Sequence, residues 1–405
     1  MSHLLSRARR WPLALTAAAL LGACQEPVAA VGRAGPSANA AADFPQAGAT
    51  AAWNQVARDL VVEHRMGVPP SLRMFALLSV AQYNAIVAAE EGLAGSRRAS
   101  ERGAVAGASA AVLSYIYPGK TQLLEGLVLE QQEASVDLPS ASAADFAAGE
   151  AIGRAVAEGV IERAKTDRFF EPFTGTVPVC PGCWLPATPP AFATLGQAKP
   201  FFLTSGAQFR PAPPPAFESA AFAAALAEVR QIADTRTPEQ DSIAKFWALP
   251  LGTVGAQGYF NALASELAVR YRRTERETAH ALALLNMAAF DALIASHEAK
   301  YHYWRIRPSQ ADPAIALAIG LPSFPAYPSN HSTLAATAAT VLGAIFPSER
   351  PQLDAMAAEG AISRLHGGIH YRFDTEAGLA LGRKVGAYVL SRDVVGHEPF
   401  VLHQR

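Results

Sequence analysis

The chain has 405 residues, half of them apolar and 17% charged, so it can bury a sizeable core and is not globally disordered. Lys plus Arg number 34 against 35 Asp plus Glu, a net charge of -1, which argues against nucleic acid or an anionic membrane surface as the main partner. Three cysteines are too few for a disulfide-framework fold.

Residues 1–24 begin with Arg7, Arg9 and Arg10 and continue with an apolar run from Pro12 to Leu21. That run is too short to span a bilayer comfortably. It ends in Leu21-Gly22-Ala23-Cys24, which resembles the bacterial lipoprotein signal. The resemblance implies removal of residues 1–23 and lipidation of Cys24. With Gln25 and no Asp next to it, the expected address is the outer membrane, facing the periplasm. An ordinary secretory signal with a chance cysteine is the alternative. Residues 24–48, rich in Ala, Gly and Pro, are expected to be a flexible tether.

Apolar residues recur at three-to-four spacing over 51–65, 71–91, 104–117, 120–135 and 142–164, and again over 216–234, 238–249, 254–272, 276–299, 331–346, 350–364 and 375–392. Each predicts a helix, and the fold class is all-α. Residues 171–215 hold too many prolines for helix, including Pro186, Pro189, Pro190 and Pro213-Pro214-Pro215. They are an irregular connector dividing an N-terminal bundle (49–170) from a C-terminal bundle (216–405). Cys180 and Cys183 lie within it. An exported chain meets an oxidising compartment, so a local disulfide is the first reading. Zinc would need two further ligands nearby, and a thioredoxin-like role would need a βαβ context.

The two halves are alike. ALLSVAQYNAIVAAEE at 76–91 matches ALLNMAAFDALIASHE at 283–298 at seven of sixteen positions. VLSYIYP at 112–118 parallels VLGAIFP at 341–347. The offset grows from 207 to 229 between the blocks. On that alignment Ser100, Glu101 and Arg102 stand opposite Ser329, Asn330 and His331, so a second active site is not expected in the first half.

Eight of ten histidines lie at or after His280. Three stretches there carry chemistry. Lys300 and Arg307 are seven apart, which predicts two cations on one helix face; alone, this reads more readily as a solvated basic face than as a site. Tyr327-Pro328-Ser329-Asn330-His331 precedes an apolar run and marks a helix N-terminus, whose free N–H groups suit an anion. Ser329 is its cap or a hydroxyl donor, and His331 stands at the same edge. His370 and Asp374 are four apart, so the carboxylate can hold Nδ1–H and leave Nε2 unprotonated, as nucleophile or ligand. His366 and His370 have zinc-like spacing, but no Glu lies between them and Gly367-Gly368 weakens the helix.

In order, these stretches resemble the signature of the vanadium-dependent haloperoxidase and type 2 phosphatidic-acid phosphatase superfamily: K-x6-R-P, P-S-G-H and S-R-x5-H-x3-D. Lys300 to Pro308 fit the first part, Pro328 to His331 the second with Asn330 for Gly, and Ser363, Arg364, His370 and Asp374 the third. Weaker likeness includes RTPEQ at 236–240, FW at 246–247 and QFRPAPPP at 208–215. The resemblance implies that Lys300, Arg307 and Arg364 hold the oxygens of a phosphate or vanadate. Ser329 and the Asn330 N–H add hydrogen bonds. His370 attacks phosphorus or ligates vanadium, the only metal contact expected. His331 is the general acid and Asp374 orients His370. Phe324 resembles the aromatic on the halide side of chloroperoxidases, although it can equally be core, and His297 stands where they have Trp.

Phosphate and vanadate share such a site, so two activities are open. The first is phosphate-monoester hydrolysis through a phosphohistidine, with no cofactor. The alternative is vanadate-dependent oxidation of halide by hydrogen peroxide. A lipoprotein that binds phosphate or vanadate without turnover is a third reading, which an intact nucleophile and acid count against. The partners expected are these small molecules, with the membrane reached by the lipid anchor only; the sequence does not set the oligomeric state.

Overall fold

The computed structural model describes residues 48–91, 99–136, 142–186, 189–393 and 399–400. The expected signal, Cys24 and the tether up to residue 47 lie outside the described residues. Each of the twelve predicted helices is present, with ends displaced by no more than four residues. In chain order they are α1 (Ala49–Glu63), α2 (Val68–Glu91), α3 (Glu101–Ile116), α4 (Thr121–Val136), α5 (Ala143–Lys165), α6 (Ala220–Thr235), α7 (Pro238–Phe246), α8 (Gly255–Arg270), α9 (Glu275–Tyr303), α11 (Asn330–Ile345), α12 (Arg350–His366) and α13 (Arg372–Arg392). Between α9 and α11, the single turn α10 (Pro308–Ala311) follows the Arg307-Pro308 pair. Many starts follow from caps: Ser100, Ser142, Ser219, Thr237, Thr274 and Ser329 each accept the N–H three residues on.

No strand is present among the described residues, and the fold is all-α. Helices α2 and α9 are long and apolar enough to cross a membrane, but each is 94% buried over that window. They pack on one another at the centre of the molecule. One core joins Trp53, Phe75 and Phe146 of the first half to Phe290, Leu293 and Leu334 of the second. A second core, with Trp247, Phe260, Leu342 and Val385, lies in the second half and takes in Leu203 of the connector. The described residues fall in one compact unit, so the connector divides the course of the chain but not its core.

The repeat is visible in how the elements pack. Helices α1 to α5 correspond in order to α8, α9, α11, α12 and α13, with a 3-10 turn before α4 and before α12. Helix α3 packs on α5 as α11 packs on α13. Both contacts need glycine. A Cβ on Gly149 or Gly153 would come 2.1 or 2.0 Å from the Ser100 or Ala104 carbonyl. At positions 229 residues later, a Cβ on Gly378 or Gly382 would come 2.6 or 2.2 Å from the Ser329 or Thr333 carbonyl. This close approach lets the Ser329 N–H reach the Asp374 carbonyl at 2.9 Å, as the Ser100 N–H reaches that of Asp145.

The connector is tied down by backbone groups. Asp291, fully buried on α9, accepts the N–H groups of Phe201, Phe202 and Leu203 at 2.7, 2.7 and 3.0 Å. The hydroxyls of Tyr301, Tyr303 and Tyr327 donate to the carbonyls of Ala191, Pro211 and Ala212. Cys180 and Cys183 are joined as a disulfide with Cα atoms 5.2 Å apart. Next to it, Ile306 N–H donates to the Gly182 carbonyl and Trp184 N–H to that of Trp304. The connector therefore lies directly on the segment between Lys300 and Arg307.

Candidate active site

The three motif stretches converge, but not by the local geometry their spacing predicts. Lys300 and Arg307 do not share a helix face. Helix α9 ends at Tyr303 because Trp304 adopts left-handed φ of 51°. Arg307 lies beyond it in extended conformation, as expected for a residue before proline. The chain turns back, and both side chains are brought to the 324–328 loop that leads to α11. His370 likewise lies outside a helix, since Gly367 and Gly368 end α12 and α13 begins at Arg372. Its contact with Asp374 forms nonetheless. Asp374 reaches back across the helix start, accepting from His370 Nδ1 at 2.9 Å and from the Tyr371 N–H at 3.1 Å through one oxygen. The one-turn spacing of His366 and His370 is therefore not realised on a helix.

Arg307 Nη1 donates to His370 Nε2 at 3.0 Å and to the Ile369 carbonyl at 2.8 Å. Arginine has no proton acceptor, so Nε2 must carry the lone pair and Nδ1 the proton. This is the tautomer a nucleophile or metal ligand needs. Burial pushes the His370 pKa well below its ordinary value, and Arg307, Lys300, Arg364 and His331 push it further, which keeps the ring neutral.

Lys300 departs from its expected role. Its three N–H groups donate to the carbonyls of Pro325, Ala326 and Pro328. An ammonium has three donors, so Lys300 shapes the loop that leads to Ser329 and supplies charge. Direct contact with an oxyanion would need one of these bonds to be exchanged. Phe324 sits beside it, half-buried, with Lys300 Nζ and Arg307 Cζ 5.1 and 5.3 Å from its ring centre.

Ser329 caps α11. The N–H groups of Asn330 and His331 are the first two of that helix, which its own ladder leaves unpaired. Asn330 does not leave its side chain in the open. It is buried, with Oδ1 accepting from Ser296 Oγ at 2.6 Å and Nδ2 donating to His297 Nε2 at 3.1 Å.

Helix α7 supplies an unforeseen wall. The Ala244 carbonyl near its C-terminal end accepts from Arg364 Nη2 at 3.4 Å, and the backbone of Trp247, which follows the helix, stands beside His331 and pulls its pKa up against burial. Carbonyls at a helix C-terminus carry partial negative charge, so α7 steadies a cation and a ring that otherwise face like charge. The RTPEQ and FW stretches border this helix, but which carbonyls they would turn inward is set by packing. Trp247 is held by its Nε1–H on Glu359 at 2.9 Å.

Lys300, Arg307, Arg364 and Asp374 are each 1% exposed or less. Three cations face one carboxylate there, an excess of two positive charges. Burial pushes Lys300 down, with Arg307 adding to it. Burial and the Arg307 charge push Arg364 down to about 9. Burial and the charges of Arg364, Lys300 and Arg307 push His331 well below its usual range. Asp374 is raised by burial, against the Tyr371 N–H and the nearby cations. A buried charge excess of this kind is relieved by an anion. Arg307 Nη2 is buried with no hydrogen-bond partner and remains to donate to one; His331 Nε2, equally unpartnered, donates only when its ring is protonated. The residues fit a phosphate or vanadate on those grounds.

Residues 280–393 match the family model described as the PAP2 superfamily. A crystal structure titled the first bacterial vanadium-dependent iodoperoxidase is similar at TM-score 0.73 and 26% identity, over 87% of this chain and 98% of that one. A bacterial vanadium-dependent chloroperoxidase in holo form is similar at 0.67 and 15%, over 81% and 92%, and in apo form at 0.65 and 15%, over 79% and 92%. These last two share the fold. No match is found among curated proteins. Residues 280–393, which carry the three signature stretches, match the PAP2 superfamily, on an all-α fold shared with bacterial vanadium-dependent haloperoxidases.

Proposed function

We propose that the protein is a vanadate-dependent haloperoxidase. The observation that carries this reading is the burial of the oxyanion-binding set, with Lys300, Arg307, Arg364 and Asp374 at 1% exposure or less and His370 at 3%. An enclosed site of this kind suits a bare tetrahedral anion kept as a prosthetic group, reached by solutes as small as halide and peroxide. A phosphate monoester must also place its leaving group. This reverses the order in which the sequence alone ranks the two activities. The likeness to the iodoperoxidase extends over the first half, which lacks the motifs, and supports the same choice.

When bound, vanadate supplies the activation of peroxide that lets halide, peroxide and a proton become hypohalous acid and water. The chain does the rest. Arg307 Nη2 and Arg364 hold oxyanion oxygens, with the first N–H groups of α11. Lys300 adds charge and holds the 325–328 loop. His370 presents an unprotonated Nε2 because Asp374 retains the proton on Nδ1. His331 Nε2 holds or moves the proton.

Hydrolysis of small phosphate monoesters is the second reading, favoured by the His370–Asp374 geometry. There His370 Nε2 forms a bond to phosphorus as the ester bond breaks, His331 protonates the leaving oxygen, and water releases phosphate from the histidine. Export, lipidation at Cys24 and outer-membrane anchoring remain part of the proposal on the pattern of residues 1–24.

The test is to load the full chain with orthovanadate and supply peroxide with iodide, bromide or chloride. An aromatic phosphate monoester is offered to the vanadate-free protein in parallel. Vanadate-dependent oxidation is expected, fastest with iodide, which sheds water most cheaply on entering a buried site. Ester hydrolysis that vanadate blocks, without halide oxidation, would establish the phosphatase instead. Binding with neither activity would leave a binding lipoprotein.

A further inference from the structure

We propose that Asn330 and His297 form a positioning pair that fixes the first residue of α11 and aims its N–H groups at the oxyanion. The proposal rests on the oxyanion reading of the site and not on the choice between its two activities.

The pair is part of one buried hydrogen-bond chain. Ser296 Oγ donates to Asn330 Oδ1 at 2.6 Å, and Asn330 Nδ2 donates to His297 Nε2 at 3.1 Å. His297 Nδ1 faces the Phe192 carbonyl at 3.3 Å. Because Asn330 Nδ2 can only donate, His297 Nε2 is the acceptor and Nδ1 carries the proton toward Phe192. A neutral ring satisfies both contacts, and burial together with Lys300 keeps it neutral. Ser296 and His297 are fully buried and Asn330 is 7% exposed. The chain therefore links three segments: α9, the start of α11 and the connector. A glycine at position 330 could not make this link.

The geometry also says what the link acts on. Asn330 is the first residue of α11, beside Ser329, the cap, and His331. A rotation there moves the N–H groups that the helix leaves free for an anion. On its other side, the His297 ring stands 5.4 Å from that of Phe324, the aromatic beside Lys300 and Arg307. Both ring nitrogens of His297 are engaged, so it offers the site carbon edges and no donor. It acts through Asn330.

The alternative is that Asn330 is a tolerated crowding of a position better filled by glycine. The two views differ in sign. Under the crowding view, Asn330→Gly restores the signature and tightens binding. Under the positioning view, it leaves Ser296 Oγ and His297 Nε2 buried without partners and loosens the helix start.

The test is calorimetric titration of the full chain with orthovanadate and with inorganic phosphate. Asn330→Gly is expected to weaken binding about 10- to 100-fold, the range typical of lost supporting hydrogen bonds around a bound metal. His297→Phe, which keeps an aromatic ring but no acceptor, is expected to weaken it similarly. His297→Gln, whose carbonyl can accept from Asn330, is expected to bind close to the parent. The double variant with Asn330→Gly and His297→Phe is expected to be no worse than the poorer single variant, because both break one link. Equal or tighter binding by Asn330→Gly would overturn the proposal, as would His297→Phe binding like the parent, since packing alone would then suffice. A parent chain that binds neither anion would overturn the oxyanion reading and the pair with it. Parent binding with unaffected variants would overturn the pair alone.

Discussion

Replacing His370 by alanine is expected to lower either activity on the order of 10³-fold or more, the scale on which loss of a covalent nucleophile acts. His370 is the residue on which both readings depend. Its Nε2 is the unprotonated nitrogen at the site, and the tautomer is fixed from both sides, by Asp374 at 2.9 Å and by Arg307 at 3.0 Å. Alanine also leaves Arg307 Nη1 without one of its two acceptors and Asp374 without its ring partner. Steady-state rates of halide oxidation and ester hydrolysis, measured on a variant with a parent-like circular dichroism spectrum, check this. Full activity would refute the assignment. Asp374→Asn serves as a companion. An amide in its place can donate to Nδ1 and so favours the wrong tautomer, as an Asp-to-Asn change beside a catalytic histidine does elsewhere. The histidine remains, yet the rate is expected to fall steeply.

Arg364→Ala is expected to weaken binding of orthovanadate or phosphate by roughly 2–4 kcal/mol, about 30- to 1000-fold. Arg364 is 1% exposed. It is held by Ser363 Oγ at 2.9 Å and by the Ala244 carbonyl at 3.4 Å. Its cost in the unliganded chain is high, since it shares a buried space with Arg307, and the anion relieves that cost. Losing it therefore removes a donor and the charge the anion answers. Arg364→Lys is expected to recover part of the affinity, because a lysine keeps the charge but not the planar fork. Inhibition by vanadate of ester hydrolysis, or direct calorimetry, reads the effect. An unchanged constant would exclude Arg364 from the site.

The helices were legible because amphipathic periodicity and capping serines act locally. Ser329 reads as a cap from the sequence and is one. The repeat was also legible, since the Ala- and Leu-rich blocks at 76–91 and 283–298 lie in the two central helices. What failed was the assumption that spacing means one helix face. Lys300 and Arg307 flank the Phe324 ring because Trp304 breaks α9 and Pro308 keeps Arg307 extended. His370 meets Asp374 across the start of α13. The side chains converge, but through backbone that turns rather than along one helix face. Two further features had no local signal. The Ala244 carbonyl that α7 turns to Arg364 and the Trp247 backbone beside His331 depend on how that helix docks. The bond from Asn330 to His297 depends on two rotamers on different helices. Asp291 belongs with these, because nothing near it in sequence announces that it gathers three N–H groups of a connector some ninety residues earlier.

The first half also bears on the account. Asp145 stands where the repeat places Asp374, and its carbonyl accepts from Ser100 as that of Asp374 accepts from Ser329. The frame of the site is present twice. Glu101 and Arg102 replace Asn330 and His331, and a carboxylate at a helix start opposes an anion there. Only the second frame carries the cations and histidines of the signature.

The most direct test of the central claim is the stoichiometry of orthovanadate binding to the full chain, measured by calorimetry with inorganic phosphate as competitor. One vanadate per chain, displaced by phosphate and weakened by Arg364→Ala, is the expected result. No binding, two equivalent sites, or one site indifferent to Arg364 would contradict a single oxyanion centre built from α9, α11, α12 and the start of α13.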